Sequence, residues 1–118
     1  MTKDANQAGD HPKHFLKEWR EFMGWSQELL ADKVDAHQSK IQRVESGKRE
    51  LKMGFLQDLA RAFNVPASAV LEINPATPSG AQTASMLLAW NELTETQRAD
   101  VLKMVRALAA PNDQPKAG

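Results

Sequence analysis

The chain has 118 residues, 42% of them hydrophobic, with Lys+Arg 15 against Asp+Glu 15 and no Cys, enough for one small domain with tails. The missing Cys excludes a disulfide framework and a thiolate zinc site and points to a reducing compartment, here the cytoplasm. No apolar run approaches the about 18 residues of a membrane span or forms a signal peptide at the start, and zero net charge argues against a uniformly basic nucleic-acid coat while leaving a local patch open.

Residues 1 to 11 and 111 to 118 are polar and aperiodic, and both are expected to be disordered tails. Between them helical periods follow one another with short breaks, and no alternation of β-branched residues marks a strand, so the fold class is all-α. A first helix, about Pro12 to Met23, carries Phe15, Leu16, Trp19, Phe22 and Met23 on one face, and Gly24 ends it. Ser26 caps a second, about Gln27 to Val34, with Trp25 and Leu30 at the positions of a hydrophobic staple. After the break Asp35-Ala36-His37 comes a third, about Gln38 to Glu45, with Ile41 and Val44 inward and Ser46-Gly47 closing it. A fourth, about Met53 to Asn64, turns Phe55, Leu56, Leu59, Ala60 and Phe63 inward, and a short fifth follows Pro66 with Val70 and Leu71. These make a five-helix globule over residues 12 to 73.

Residues 74 to 82, Asn-Pro-Ala-Thr-Pro-Ser-Gly-Ala-Gln, have the composition of a linker. Beyond it a C-terminal helical pair is expected over 83 to 110: one helix of about Thr83 to Asn91 with Met86, Leu87 and Trp90, and another of about Glu95 to Ala110. The last opens with the capping box Thr94-Glu95-Thr96-Gln97 and bears the stripe Val101, Leu102, Val105, Leu108 and Ala109. Two such helices cannot bury both faces between themselves, so the stripe calls either for docking on the globule or for another chain.

The second and third helices with their short break form a helix-turn-helix, whose second member enters the DNA major groove. Ser26-Gln27-Glu28-Leu29-Leu30-Ala31, then Ile41-Gln42-Arg43-Val44-Glu45-Ser46-Gly47-Lys48-Arg49, then Leu59-Ala60-Arg61-Ala62-Phe63-Asn64-Val65, resemble the motifs of the lambda-repressor-like (Cro/cI, XRE) regulators. The resemblance covers about Phe15 to Ile73. It implies a structural ion pair between Arg20 and Glu45, a close helix crossing at Ala31 and Ile41, and a Gln27 that holds a phosphate and braces the recognition helix. The sequence departs from the family pattern at Asp35, where glycine is usual, and at His37, where a Ser or Thr cap is usual.

On this reading Gln38, Ser39, Gln42 and Arg43 face the bases. Gln pairs with adenine and Arg with guanine in the major groove. Gln27, His37, Lys40, Lys48 and Arg49 are candidate phosphate contacts, and Val101, Leu102, Val105 and Leu108 are candidates for dimerisation. The expected partner is double-stranded operator DNA, bound by a homodimeric bacterial or phage repressor, with a protein partner at the C-terminal helices as the alternative. No cofactor and no metal are expected: His11 and His14 beside Asp10 lack further ligands at the right spacing. Gly-rich phosphate loops, nucleophile elbows and His-Glu-x-x-His are missing, so an enzyme is not expected.

Overall fold

The computed structural model describes residues 14 to 110; the two expected disordered tails lie outside the described residues. Among the described residues there are seven helices and no strand. In chain order they are α1 (Leu16–Phe22), α2 (Gln27–Lys33), α3 (Gln38–Glu45), α4 (Met53–Phe63), α5 (Ala67–Glu72), α6 (Pro78–Asn91) and α7 (Glu95–Ala109). The chain divides after Leu88 into two units.

The core of the first unit is assembled by one inward stripe per helix. Leu16 and Trp19 come from α1, Leu30 and Ala31 from α2, Ile41 and Val44 from α3, and Leu56, Leu59, Ala60 and Phe63 from α4. Trp19 is fully buried, and its indole N–H donates to the carbonyls of Ala69 and Ile73, both at 3.0 Å. The polar atom of this large side chain is therefore satisfied, and α1 is tied to the end of α5. Phe63 lies 6.0 Å from the Trp19 ring and stacks 5.5 Å from Trp25. The Lys33 ammonium sits over the outer face of that stack, 4.5 Å from the Trp25 ring.

Local chemistry sets the helix ends. Ser26 Oγ accepts the Leu29 N–H at 3.0 Å, which starts α2 where the sequence signals it. The α2–α3 turn needs a left-handed residue, and Asp35 supplies it with φ 55°. Gly47, with φ 83°, ends α3 and turns the chain away. Helix α1 begins at Leu16, later than the apolar period predicts. His14 Nδ1 accepts the Leu16 N–H at 3.3 Å, and the Phe15 N–H donates to the Val70 carbonyl at 2.8 Å, so the chain enters α1 already bonded to α5.

The stretch expected to be a linker, 74 to 82, is instead hydrogen-bonded structure and the beginning of α6. Asn74 Oδ1 accepts the Ala76 N–H at 2.9 Å, and the Asn74 carbonyl accepts both the N–H and the hydroxyl of Thr77. Thr77 Oγ1 in turn accepts the Gly80 N–H at 3.0 Å. Thr77 is thus an N-cap and Pro78 the first helical residue, the place where a missing N–H costs nothing. Gly80 is buried and pressed so closely on the loop that a Cβ there would lie 1.8 Å from the Asn74 carbonyl oxygen. Through this contact α6 lays Ala84, Leu87 and Leu88 on the core, while Met86 stays 69% exposed. The expected C-terminal pair over 83 to 110 is corrected accordingly: the residues of α6 up to Leu88 belong with the globule.

In the second unit the capping box is complete, with Thr94 Oγ1 accepting from Gln97 N–H and Gln97 Oε1 accepting from Thr94 N–H. The Arg98 guanidinium donates to the carbonyls of Trp90 and Asn91, the last in α6. No residue of α7 is buried. Val101 is half-buried, and Leu102, Val105 and Leu108 are exposed.

Candidate nucleic-acid interface

The placement of α3 follows from two residues. Ile41 and Val44, one helical turn apart, are both fully buried, so the opposite side of this eight-residue helix must face solvent. Gln38, Ser39, Gln42 and Arg43 are all exposed there. His37 is the N-cap but makes no side-chain capping bond and is also exposed. Lys40, on the flank, is half-buried with its ammonium 4.0 Å over the Phe55 ring, which anchors the charge between α3 and α4. Lys48 and Arg49 are exposed just past the end of α3.

Behind the outward face runs a connected set of polar side chains. Arg20 on α1 meets Glu45 in a two-pronged pair, Nε to Oε2 at 2.6 Å and the other nitrogen to Oε1 at 3.1 Å, and also donates to the Trp25 carbonyl at 2.7 Å. Both side chains are out of solvent, Arg20 at 10% and Glu45 at 4% exposed. The hydrogen bond to Glu45 raises the Arg20 pKa further, which keeps the guanidinium charged. Gln27 Nε2 donates to Glu45 Oε1 at 3.0 Å, and Gln38 Nε2 donates to Gln27 Oε1 at 3.4 Å. Residues from α1, α2 and both ends of α3 are thereby linked in one chain.

That linkage fixes what Gln38 still has to offer. One N–H is spent on Gln27, leaving its second N–H and its carbonyl oxygen, the donor and acceptor that adenine N7 and N6 require. Gln27 likewise keeps one N–H, and as the first residue of α2 its backbone amide lies at a helix start that favours an anion.

His14, just before α1, and Lys17, in its first turn, lie beside the same helix. Burial pushes the His14 imidazole below its ordinary pKa, against the opposing pull of Glu18, a hydrogen bond to the Val44 backbone, and Glu45. Lys17 is exposed and lines a shallow cleft of about 160 Å³ with Gln27, Gln42, Glu45 and Ser46. The available signal was spacing: Lys17 stands one helical turn before Arg20 and so shares its face.

The arrangement presents hydrogen-bonding side chains on a short convex helix flanked by cations, a shape suited to a groove rather than to enclosing a small substrate. No helix among the described residues is long and apolar enough to cross a membrane. No curated protein and no solved structure is significantly similar to the chain. Residues 16–70 do match the family model described as helix-turn-helix, a family of DNA-binding regulators. The segment from 16 to 70, with its buried α3 anchors and outward α3 face, is therefore a helix-turn-helix domain of the lambda-repressor-like (Cro/cI, XRE) family of DNA-binding transcription regulators.

Proposed function

We propose that the protein is a sequence-specific transcriptional repressor of the cytoplasm that binds a palindromic operator as a homodimer. The carrying observation is the outward face of α3: Gln38, Ser39, Gln42 and Arg43 are exposed on a helix locked by Ile41 and Val44, with Gln38 held through Gln27 and Glu45. Arg43 and Gln38 read base edges, Ser39 and Gln42 assist, and Gln27, His37, Lys40, Lys48 and Arg49 hold phosphates. A homodimer built through Val101, Leu102, Val105 and Leu108 would set two α3 helices on half-sites about one DNA turn apart, ~34–36 Å.

The test is selection of bound duplexes from a random-sequence pool with the wild-type chain and an Arg43→Ala control. Enrichment of one palindrome by the wild type alone supports the reading; no enrichment overturns it. The exposure of α7 also favours a second reading, an antitoxin-like or adaptor module whose partner protein covers that helix. Sedimentation of the full chain separates the two, because a stable homodimer fits the repressor and a persistent monomer fits the adaptor.

A further inference from the structure

The cleft beside Gln42 contains one charge that the internal network leaves over. Glu45, at its floor, has both oxygens committed: Oε2 to Arg20, and Oε1 to Arg20 and Gln27. Its negative charge is neutralised by the guanidinium that grips it. Ser46 spends its hydroxyl hydrogen on the Arg43 carbonyl at 3.2 Å and its N–H on the Gln42 carbonyl. What remains toward solvent is the second N–H of Gln27, the amide of Gln42 and the Lys17 ammonium, and Lys17 has no ion-pair partner among the described residues. The rim of this cleft is thus donor-rich, with Lys17 its one cationic lining residue, on the flank of the helix whose outward face includes Gln42; Arg20, which grips Glu45, also lies 3.9 Å from the exposed Glu21, a residue that does not line the cleft.

From this we propose that Lys17 is a DNA-binding residue, holding a backbone phosphate at the cleft it shares with Gln27 and Gln42. The inference rests on α3 lying in the major groove, and it extends the contact surface from the helix-turn-helix onto α1. A duplex against Gln42 must bring one sugar-phosphate strand along the groove edge. The cleft offers that strand a flexible ammonium and amide N–H donors, the chemistry of a phosphate seat. Lys17 is also placed in register by the Arg20–Glu45 pair one turn away, so its stem starts from a fixed point although its head is mobile. A contact of this kind releases a counterion and carries no sequence information.

The experiment is fluorescence anisotropy of the full chain on its selected operator and on a scrambled duplex, over a series of salt concentrations, for the wild type, Lys17→Gln and Lys17→Arg. Loss of one phosphate contact lowers the slope of log K against log salt by about 0.9. Lys17→Gln should show that drop, with the same fold loss on both duplexes at low salt and an unchanged melting temperature. Lys17→Arg should keep the wild-type slope. A wild-type slope in Lys17→Gln, or a loss confined to the operator, overturns the assignment while DNA binding by α3 stands. Failure of the wild type to bind either duplex overturns the α3 reading instead, and the two failures are told apart by the wild-type curve alone.

Discussion

Arg43 and Lys48 are exposed cations only a few residues apart, yet the geometry gives them different work. Arg43 projects from the outward face of α3, where a bidentate guanine contact discriminates by about 1–3 kcal/mol; Lys48 lies beyond the helix end. Arg43→Ala should therefore weaken the preferred site by that amount and flatten sequence preference, while Lys48→Ala weakens all duplexes alike, as a panel of single-base operator variants will read out. The Arg20–Glu45 pair is the opposite kind of residue, buried and doubly bonded. Cutting it to Arg20→Ala strands the carboxylate out of water and should cost about 3–5 kcal/mol in urea unfolding, whereas a matched apolar replacement of both partners should cost far less. His14 adds a pH dependence. Its folded pKa is depressed by burial, so the unfolded chain binds the proton more readily. Stability is then fully present above the ordinary value of about 6.5 and falls as pH drops through it toward the folded pKa. Melting temperature across pH 5 to about 8 should show this fall in the wild type and a shallower one in His14→Gln.

At the scale of the element, α6 turns on small residues. Gly80→Ala would drive a Cβ into the Asn74 carbonyl, so either the capped loop or the helix must move. Overpacking of this kind typically costs about 1–3 kcal/mol, and here the clash is with backbone, which puts the expected loss at the upper end. Met86→Ala, on the exposed side of the same helix, should change stability by no more than about 0.5 kcal/mol. Thermal melts of the two variants side by side check both. The contrast also explains which elements are legible in the sequence. Helices α2, α3 and α4 each bury apolar residues at helical spacing, and each is followed by a left-handed residue of a type that accepts that conformation, Asp35, Gly47 or Asn64, so their bounds can be read directly. Helix α6 docks through Gly80 and Ala84, which leave no apolar stripe, and its start signal Thr77-Pro78 is hidden in a run whose composition is that of a linker. The outward face of α3 is legible because burial of Ile41 and Val44 determines it locally. The place of His14 is not, because it depends on how the segment before α1 packs against Val44 of α3, and Lys17 is marked only by its spacing from Arg20.

For the whole molecule, the question is what α7 meets. Its exposed Leu102, Val105 and Leu108 are the proposed self-association surface, and Val105→Asp should turn a dimer in sedimentation equilibrium into a monomer without loss of helical circular dichroism. A deletion meant to remove that surface has to begin after Asn91. One made at Asn74 would also strip Ala84, Leu87 and Leu88 from the core and confuse dissociation with unfolding. A cut at the unit boundary itself, three residues before that point, is difficult to make enzymatically for a structural reason. The boundary after Leu88 falls within α6, and the residues on both sides of it are helical. A protease needs several residues in extended form to cleave, and a hydrogen-bonded helix offers them only by local unfolding. Cleavage at a loose connector, one way to silence a regulator by separating its reading module from its assembly module, is therefore closed to this chain at that boundary. Its turnover there would be governed by how often α6 opens.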